Sequence, residues 1–326
     1  MIRSVVAIVA ALLAALLTIL AGPAAAQNCP TRTVSLVVPY PAGGSVDGVA
    51  RIVAQSLAER LGQSVIVENR AGGAGGIVGA NYVAKATPDG YTLLLTASIH
   101  VITPFLAKTM PYDVVKDFTP ISLVAAGPLI VSTAPNVPAT NLRDFFALVR
   151  KTPDKFTFAT SSFGSAGHLA VELLKRDAGL DTLVIAYKGA GPMLTDVMSG
   201  QVQLIADPIL SSLPLAQTGK IKALAVTSAQ RVAAAPEIPT VGESGATGFD
   251  FVSWYGLWGP KGLPVGIVAK LQADIAAIAV EPQAKGRLAL LGFEPIGSTT
   301  PYFAKYIDDE MLKYAKIIKD AGIKAE

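Results

Sequence analysis

Thr33-Val34-Ser35-Leu36-Val37-Val38, running directly into Pro39-Tyr40-Pro41-Ala42-Gly43-Gly44-Ser45-Val46-Asp47 and then into Val49, Ile52, Val53 and Leu57, decides the fold class. The short, mostly apolar run predicts a buried strand, the Pro/Gly stretch a turn, and the spacing of the later apolar residues a helix over Asp47–Leu61. The order repeats at once. Ser64 to Glu68 predicts a strand, Ile77 to Lys85 a helix, Pro88-Asp89-Gly90 a turn and Tyr91 to Leu95 a third strand. Successive β-α-β units build a parallel sheet with helices on both faces, so the class is α/β.

The middle of the chain repeats the theme with strands at Leu129–Thr133, Phe156–Ala159, Thr182–Tyr187, Val202–Ala206 and Ala223–Thr227. Helices are predicted between them at Leu142–Lys151, Gly167–Asp177 and Pro192–Ser199. A second α/β lobe is the economical reading at this length. After it comes an aromatic, extended segment, Phe249 to Trp258, and then helical patterns at Val265–Val280 and Pro301–Ala321. These helices have little strand of their own to pack on and are expected to return to the first lobe. The expected division is 1–26 as a leader, 27–124 with 252–326 as lobe 1, and 125–251 as lobe 2. The chain then crosses between lobes twice, near Ala125–Gly127 and near Phe251–Tyr255.

Composition narrows the function classes. Met1-Ile2-Arg3, a run from Val5 to Leu20 that is apolar apart from Thr18, and Pro23-Ala24-Ala25-Ala26 have the order of a secretory signal peptide cleaved after Ala26. The alternative, a retained anchor, fits less well because the run stops at Gly22-Pro23. Of 326 residues, 51% are hydrophobic and 16% charged, with a formal net charge of +3. No basic run with interleaved aromatics occurs, which argues against nucleic acid as a partner. Two histidines, His100 and His168, and the single Cys29 are too few for a soft-ligand metal cluster, so no metal or cofactor is expected. Cys29 follows Ala26-Gln27-Asn28, which lacks the apolar and small residues of a lipid-attachment site, and reads as a plain thiol near a chain end.

Four loops hold the candidate motifs. The Pro39–Asp47 loop ends a strand and opens a helix, where free N–H groups and the helix dipole favour an anion; the plainer reading is a structural turn with Asp47 as a cap. Glu68-Asn69-Arg70-Ala71-Gly72-Gly73-Ala74-Gly75-Gly76 lacks the Gly-Lys-Ser/Thr and Gly-x-Gly-x-x-Gly registers of nucleotide loops and reads as scaffold. Ser161-Ser162-Phe163-Gly164-Ser165-Ala166-Gly167-His168 occupies the same strand-to-helix setting in the second lobe and offers hydroxyls to a carboxylate. A nucleophilic Ser165 with His168 as base is the rival there, although no Gly-x-Ser-x-Gly elbow occurs. In Tyr187-Lys188-Gly189, Lys188 either complements an acidic ligand or is solvated surface. Asp207 either lines a cleft or caps a turn before Pro208.

Taken together and in order, these pieces resemble the receptor family of the tripartite tricarboxylate transporters, the Bug-type extracytoplasmic binding proteins. The residues that carry the resemblance are Pro41 to Asp47, Val67-Glu68-Asn69-Arg70, Pro88 to Tyr91, Pro111-Tyr112-Asp113 with Lys116-Asp117-Phe118, Gly164-Ser165 with His168-Leu169, Tyr187-Lys188-Gly189 with Pro192, Gly200-Gln201-Val202, Pro239-Thr240, and Trp254-Tyr255-Gly256. The resemblance implies a two-lobed periplasmic-binding-protein clamshell, with each lobe a mostly parallel sheet flanked by helices. It implies a non-enzymatic role: capture of a small carboxylate (a dicarboxylate, an aromatic carboxylate or an acidic amino acid) by lobe closure, and delivery to membrane permease subunits. It transfers ligand contact to Tyr40, Ala42, Gly43, Gly44, Ser45, Val46 and Asp47 in one lobe. In the other it transfers contact to Ser161, Ser162, Phe163, Gly164, Ser165 and Ala166, with His168, Lys188, Gly189 and Asp207 beside them. The chain departs from the usual pattern at Ser162, Phe163 and Thr103-Pro104; a bulky Phe163 would favour an apolar ligand body or narrow the pocket. A periplasmic monomer is expected. A ligand sensor that signals through its closed state is the alternative, and a secreted α/β hydrolase a more distant one.

Overall fold

In the computed structural model, residues 30–324 are described, so the expected leader, its cleavage point at Ala26 and Cys29 lie outside the described residues. The opening run forms strand β1 (Val34–Val38), and the turn feeds helix α1 (Ser45–Leu61). Val49, Ile52, Val53 and Leu57 form the buried stripe of α1, as their spacing predicts, and each contributes about 1.5–3 kcal/mol by leaving water. Gly62 closes the helix in the left-handed conformation. Strand β2 (Val65–Asn69), helix α2 (Ile77–Ala84) and strand β3 (Thr92–Ala97) follow, and β1 pairs in parallel with both β2 and β3. A short helix α3 (Ile99–Ile102) leaves the end of β3.

The long strand β4 (Phe118–Thr133) then belongs to two sheets. Residues 118–128 pair antiparallel with β9 (Val252–Pro260), which itself pairs antiparallel with β3. Residues 129–133 pair antiparallel with β7 (Leu204–Pro208), and 130–133 also with β8 (Lys222–Val226). Beyond β7 the second sheet returns to parallel pairing through β5 (Phe158–Thr160) and β6 (Val184–Ala186). Helices α4 (Leu142–Lys151), α5 (Ala166–Ala178), α6 (Ala190–Ser199) and α7 (Ile209–Gln217) connect these strands. The architecture is a two-lobed α/β clamshell. The expectation of mostly parallel sheets holds for the outer strands and gives way at the centre, because β4 and β9 run between the lobes in opposite directions.

Three elements differ from the sequence reading for local reasons. Leu129–Thr133 is only the last third of β4, whose earlier part contains Pro120 and Pro128. The register shifts between Pro120 and Ser122 and again between Leu123 and Ala125, and Pro128 sits where the strand changes sheets, so the ladder tolerates both prolines. Helix α7 escaped notice because Pro214 lies inside it. A helix α9 (Pro282–Leu290) between α8 (Val265–Val280) and the small strand β10 (Glu294–Pro295) is short and starts on a proline.

The apolar residues alternate across the first sheet and are buried on both faces. Leu36, Val38, Leu93, Leu95, Tyr255 and Leu257 pack on the side of α1 and α8. Val37, Leu94, Trp254 and Trp258 pack on the other side with the last helix, α10 (Thr300–Asp320). Helices α8 and α10 pack against the first sheet. Helix α10 also reaches α5 of the second, where Arg176 and Asp320 approach to 4.0 Å. At the hinge the indole N–H of Trp254, fully buried, is shared between Glu310 Oε2 at 3.0 Å and the Tyr314 hydroxyl at 2.9 Å. Trp254→Phe keeps most of the packing and removes the buried donor that Glu310 and Tyr314 share. It is expected to cost about 1–3 kcal/mol, read as a lowered urea midpoint with an unchanged slope.

Candidate functional site

A cleft of about 450 Å³ lies between the lobes and is built by strand-to-helix turns from both. From the first lobe come Tyr40 and the turn up to Asp47; from the second come Ser161, Ser162, Ser165 and Ala166, with Lys188 to Pro192 and Asp207 to Pro208. These segments converge because each ends a parallel strand at the same edge of its sheet, where open α/β sheets leave a crevice.

The first turn is held rigid by Asp47. Its Oδ2 accepts from the Gly43 N–H at 2.9 Å and from Arg51 Nε at 2.9 Å, while Oδ1 accepts from Arg51 Nη2 at 3.0 Å and from Asn69 Nδ2 at 3.0 Å. Asn69 donates also to the Tyr40 carbonyl. Hydrogen bonds from Arg51, Gly43 and Asn69 hold the Asp47 carboxyl below its usual range against the opposing effect of burial, the largest single influence on it. Asp47 thus lines the cleft with both oxygens engaged. The N-cap residue of α1 is Gly44, and no side chain caps the helix, so its first-turn N–H groups open on the cleft without a side-chain acceptor. A Cβ on Gly44 would meet only the Pro41 carbonyl, at 3.9 Å.

Across the cleft the second lobe presents two helix starts. Helix α5 is capped by Ser165, whose Oγ accepts from the His168 N–H at 3.1 Å and lies 2.8 Å from Thr160 Oγ1. Helix α6 begins after Gly189 at φ +119°, with no side-chain cap, and the Gly189 N–H is tied to the Ser161 carbonyl at 2.7 Å. Lys188 stands exposed at the rim. Two helices, α1 and α6, one per lobe, therefore direct N-termini without side-chain caps toward one space.

Phe163, Gly164 and His168 do not line this cleft. The Phe163 ring lies over the His168 imidazole, with centroids 4.8 Å apart, and with Gly164 it borders a smaller hollow beside Thr103 and Leu106. His168 Nδ1 accepts from the Gly164 N–H at 3.2 Å, and burial, with Lys175 nearby, holds its imidazole down to about 4. That ring nitrogen serves the loop and does not address Ser165 Oγ, so the two do not form a nucleophile–base pair. Sequence reasoning missed Ala97, Ser98 and Ile99 at the end of β3, Ser211 on α7, and Ser253 and Tyr255 on the hinge strand as lining residues. The Tyr255 hydroxyl lies beside those of Ser45 and Ser253, and burial pushes it up to about 12. Its sequence signals were membership of the aromatic hinge segment and of the Trp254-Tyr255-Gly256 piece of the family resemblance, neither of which placed it at the cleft.

Asp207 forms the floor. It is 1% exposed, and burial pushes its carboxyl up to about 6, opposed by hydrogen bonds from Ser211 and Ser212. Between the ordinary carboxyl range and about 6, the folded chain holds a proton that the unfolded chain has released. This group therefore favours the fold at low pH and turns against it as pH rises through that window. Asp207→Asn abolishes the titration, so its stability relative to the native chain should rise by up to about 3 kcal/mol between pH 4 and pH 7.5. Urea midpoints at the two pH values check this, and an equal difference at both would show an ordinary carboxylate.

Comparison with known proteins bears on the same chain. The sequence model of the family described as tripartite tricarboxylate transporter family receptor matches residues 49–323. The protein BugT of Bordetella pertussis is 33% identical over 307 residues, covering 94% of each chain. A protein of the Agrobacterium vitis ttuE–ttuC' intergenic region is 36% identical over 313 residues, covering 94% of this chain and 89% of that one. Among solved structures, the periplasmic binding protein BugD has a TM-score of 0.85 at 36% identity, covering 91% of this chain and all of its own. A Rhodopseudomonas palustris protein with adipate has 0.88 at 36%, with the same coverage. MatC of R. palustris with bound malate has 0.80 at 32%, covering 89% and 99%.

Proposed function

Because the chain belongs to the tripartite tricarboxylate transporter receptor family, a family of periplasmic solute-binding receptors and not of enzymes, we propose that it captures a small carboxylate between its lobes and hands the closed complex to permease subunits. The observation that carries this reading is the pair of uncapped helix starts, α1 from one lobe and α6 from the other, facing one cleft. Each offers free N–H groups and the positive end of a helix dipole. An anion that bridges them binds the closed arrangement better than the open one and so draws the lobes together.

The ligand contacts are Tyr40 and the turn from Ala42 to Val46 in one lobe, with Ser161, Ser162, Ser165, Ala166, Lys188, Gly189 and Asp207 in the other. Asp47 acts by shaping the turn through Gly43 and Asn69. Phe163, Gly164 and His168 brace the opposite turn. The lobes divide at 124/125 and 251/252, within β4 and just before β9. That two related structures hold adipate and malate supports a carboxylate here.

A thermal-shift screen of the chain from Gln27 onward, against mono-, di- and tricarboxylates, aromatic acids and amino acids, tests the reading. At about 100 times its dissociation constant a ligand should add ~2.7 kcal/mol and raise the midpoint by several degrees. Silence across the acids, repeated after unfolding and refolding to strip any bound ligand, would overturn it. Gly44→Val tests the turn. Its backbone, φ −83° and ψ 175°, suits any residue, and the new side chain would stand in open space at the cleft. The expected result is a fold stable to within about 1 kcal/mol of the native chain and an affinity lowered on the order of 100-fold, measured by calorimetry with the ligand found in the screen.

A further inference from the structure

Two carboxylates line the cleft, and they differ in what their oxygens do. Asp47 has both oxygens filled by Arg51, Asn69 and the Gly43 N–H. Asp207, at the end of β7, has Oδ2 engaged by the Ser211 hydroxyl, with Ser212 at 3.5 Å, while Oδ1 is buried and has no hydrogen-bond partner. Among the described residues no cation pairs with Asp207, and Lys188 sits at the exposed rim of the same cleft. A buried acceptor without a donor is an uncommon arrangement in folded proteins, and one that a ligand's donor relieves.

Apart from the filled Asp47 carboxylate, the other polar side chains of the cleft are hydroxyls and Lys188, suited to a carboxylate. Asp207 alone offers an unfilled charged acceptor. We propose that Asp207 makes the site selective for ligands that carry a hydrogen-bond donor, a hydroxyl or an ammonium group, on the carbon skeleton of their carboxylate. The inference rests on the carboxylate reading above and names the class within it. A bare hydrocarbon diacid would cover Asp207 with methylene and leave Oδ1 unpaired, and sites built to accept a ligand donor reject analogues that lack it. An ammonium group would also supply the charge that Asp207 otherwise lacks.

The test is calorimetric titration at pH 7.5 with two matched series: succinate, malate and aspartate; and adipate, 2-hydroxyadipate and 2-aminoadipate. In the native chain the hydroxy or amino member of the series that fits should bind at least tenfold tighter than its bare diacid. In Asp207→Leu that ratio should fall to within about twofold. Should the leucine variant fail to fold, Asp207→Asn keeps an acceptor oxygen without charge. It should lose any preference for ammonium over hydroxyl and retain that for hydroxyl over the bare diacid. Bare diacids binding as tightly as their substituted forms, or a preference that survives in both variants, would overturn the inference and leave the carboxylate reading standing. No binding by any member of either series would overturn this inference; the reading itself falls only if the wider acid screen is also silent.

Discussion

The antiparallel pairing of β4 with β9 is the constraint from which the rest of the molecule is built. These two strands, from distant parts of the chain, run side by side from Phe118 opposite Pro260 to Pro128 opposite Val252. Each carries the chain from one lobe to the other, so a rotation between lobes has to be absorbed where they cross. The register shifts around Ser122 and Ala125 and the proline at 128 place irregular backbone there, and α10 packs along β4 with the Trp254–Glu310–Tyr314 hydrogen bonds behind it. A crossing made of two paired strands and backed by a helix permits a hinge while resisting shear, because sliding would break a row of hydrogen bonds and rotation need not.

With the crossing in place, the site is assembled by strand ends. β1, β5 and β6 each stop at the crevice and turn into a helix, so the cleft receives backbone N–H groups and not guanidinium groups. Arg51, the charged residue that would attract an anion most strongly, is consumed by Asp47 within its own helix. The cleft thus presents oriented backbone dipoles beside Lys188 at its rim.

Much of this was legible in the sequence where local chemistry determines the outcome. The strand-turn-helix at Thr33–Leu61 came through because three signals agree there: a short apolar run, Pro and Gly in the turn, and apolar residues at helical spacing. Helices α4 and α8 were read to the residue, since their stripes and boundaries are strong. The crossing strand was read only in part because Pro120 and Pro128 argue against a central strand; what overrides them is pairing with β9, more than 120 positions away. Pro214 hid α7 in the same way. Within the site, the glycine and serine turns announced themselves by composition. The involvement of Tyr255 and Ser253 did not, since their place at the cleft follows from where the hinge strand runs. Nor does sequence distinguish Asp47 from Asp207; both lie where a strand gives way to a helix and both read as caps.

That last distinction bears on how the site is maintained. A buried carboxylate with one oxygen idle destabilises the fold at neutral pH, whereas the fully bonded Asp47 has its burial offset by its partners. An asparagine or leucine at 207 would remove the penalty without disturbing β7, whose pairing with β4 and β5 runs through backbone groups. The strand itself therefore does not need the charge, which serves the hydroxyls of Ser211 and Ser212. Unfavourable groups that the scaffold does not require, held in place at a ligand-facing position, are the form that stored binding capacity takes in proteins, because the group's deficit in the empty state becomes selectivity in the filled one. In this clamshell the deficit lies on the second lobe, opposite the turn held by Asp47. On the proposed reading, a ligand that satisfied both ends would engage both lobes at once, and closure would then depend on its donor as well as on its charge.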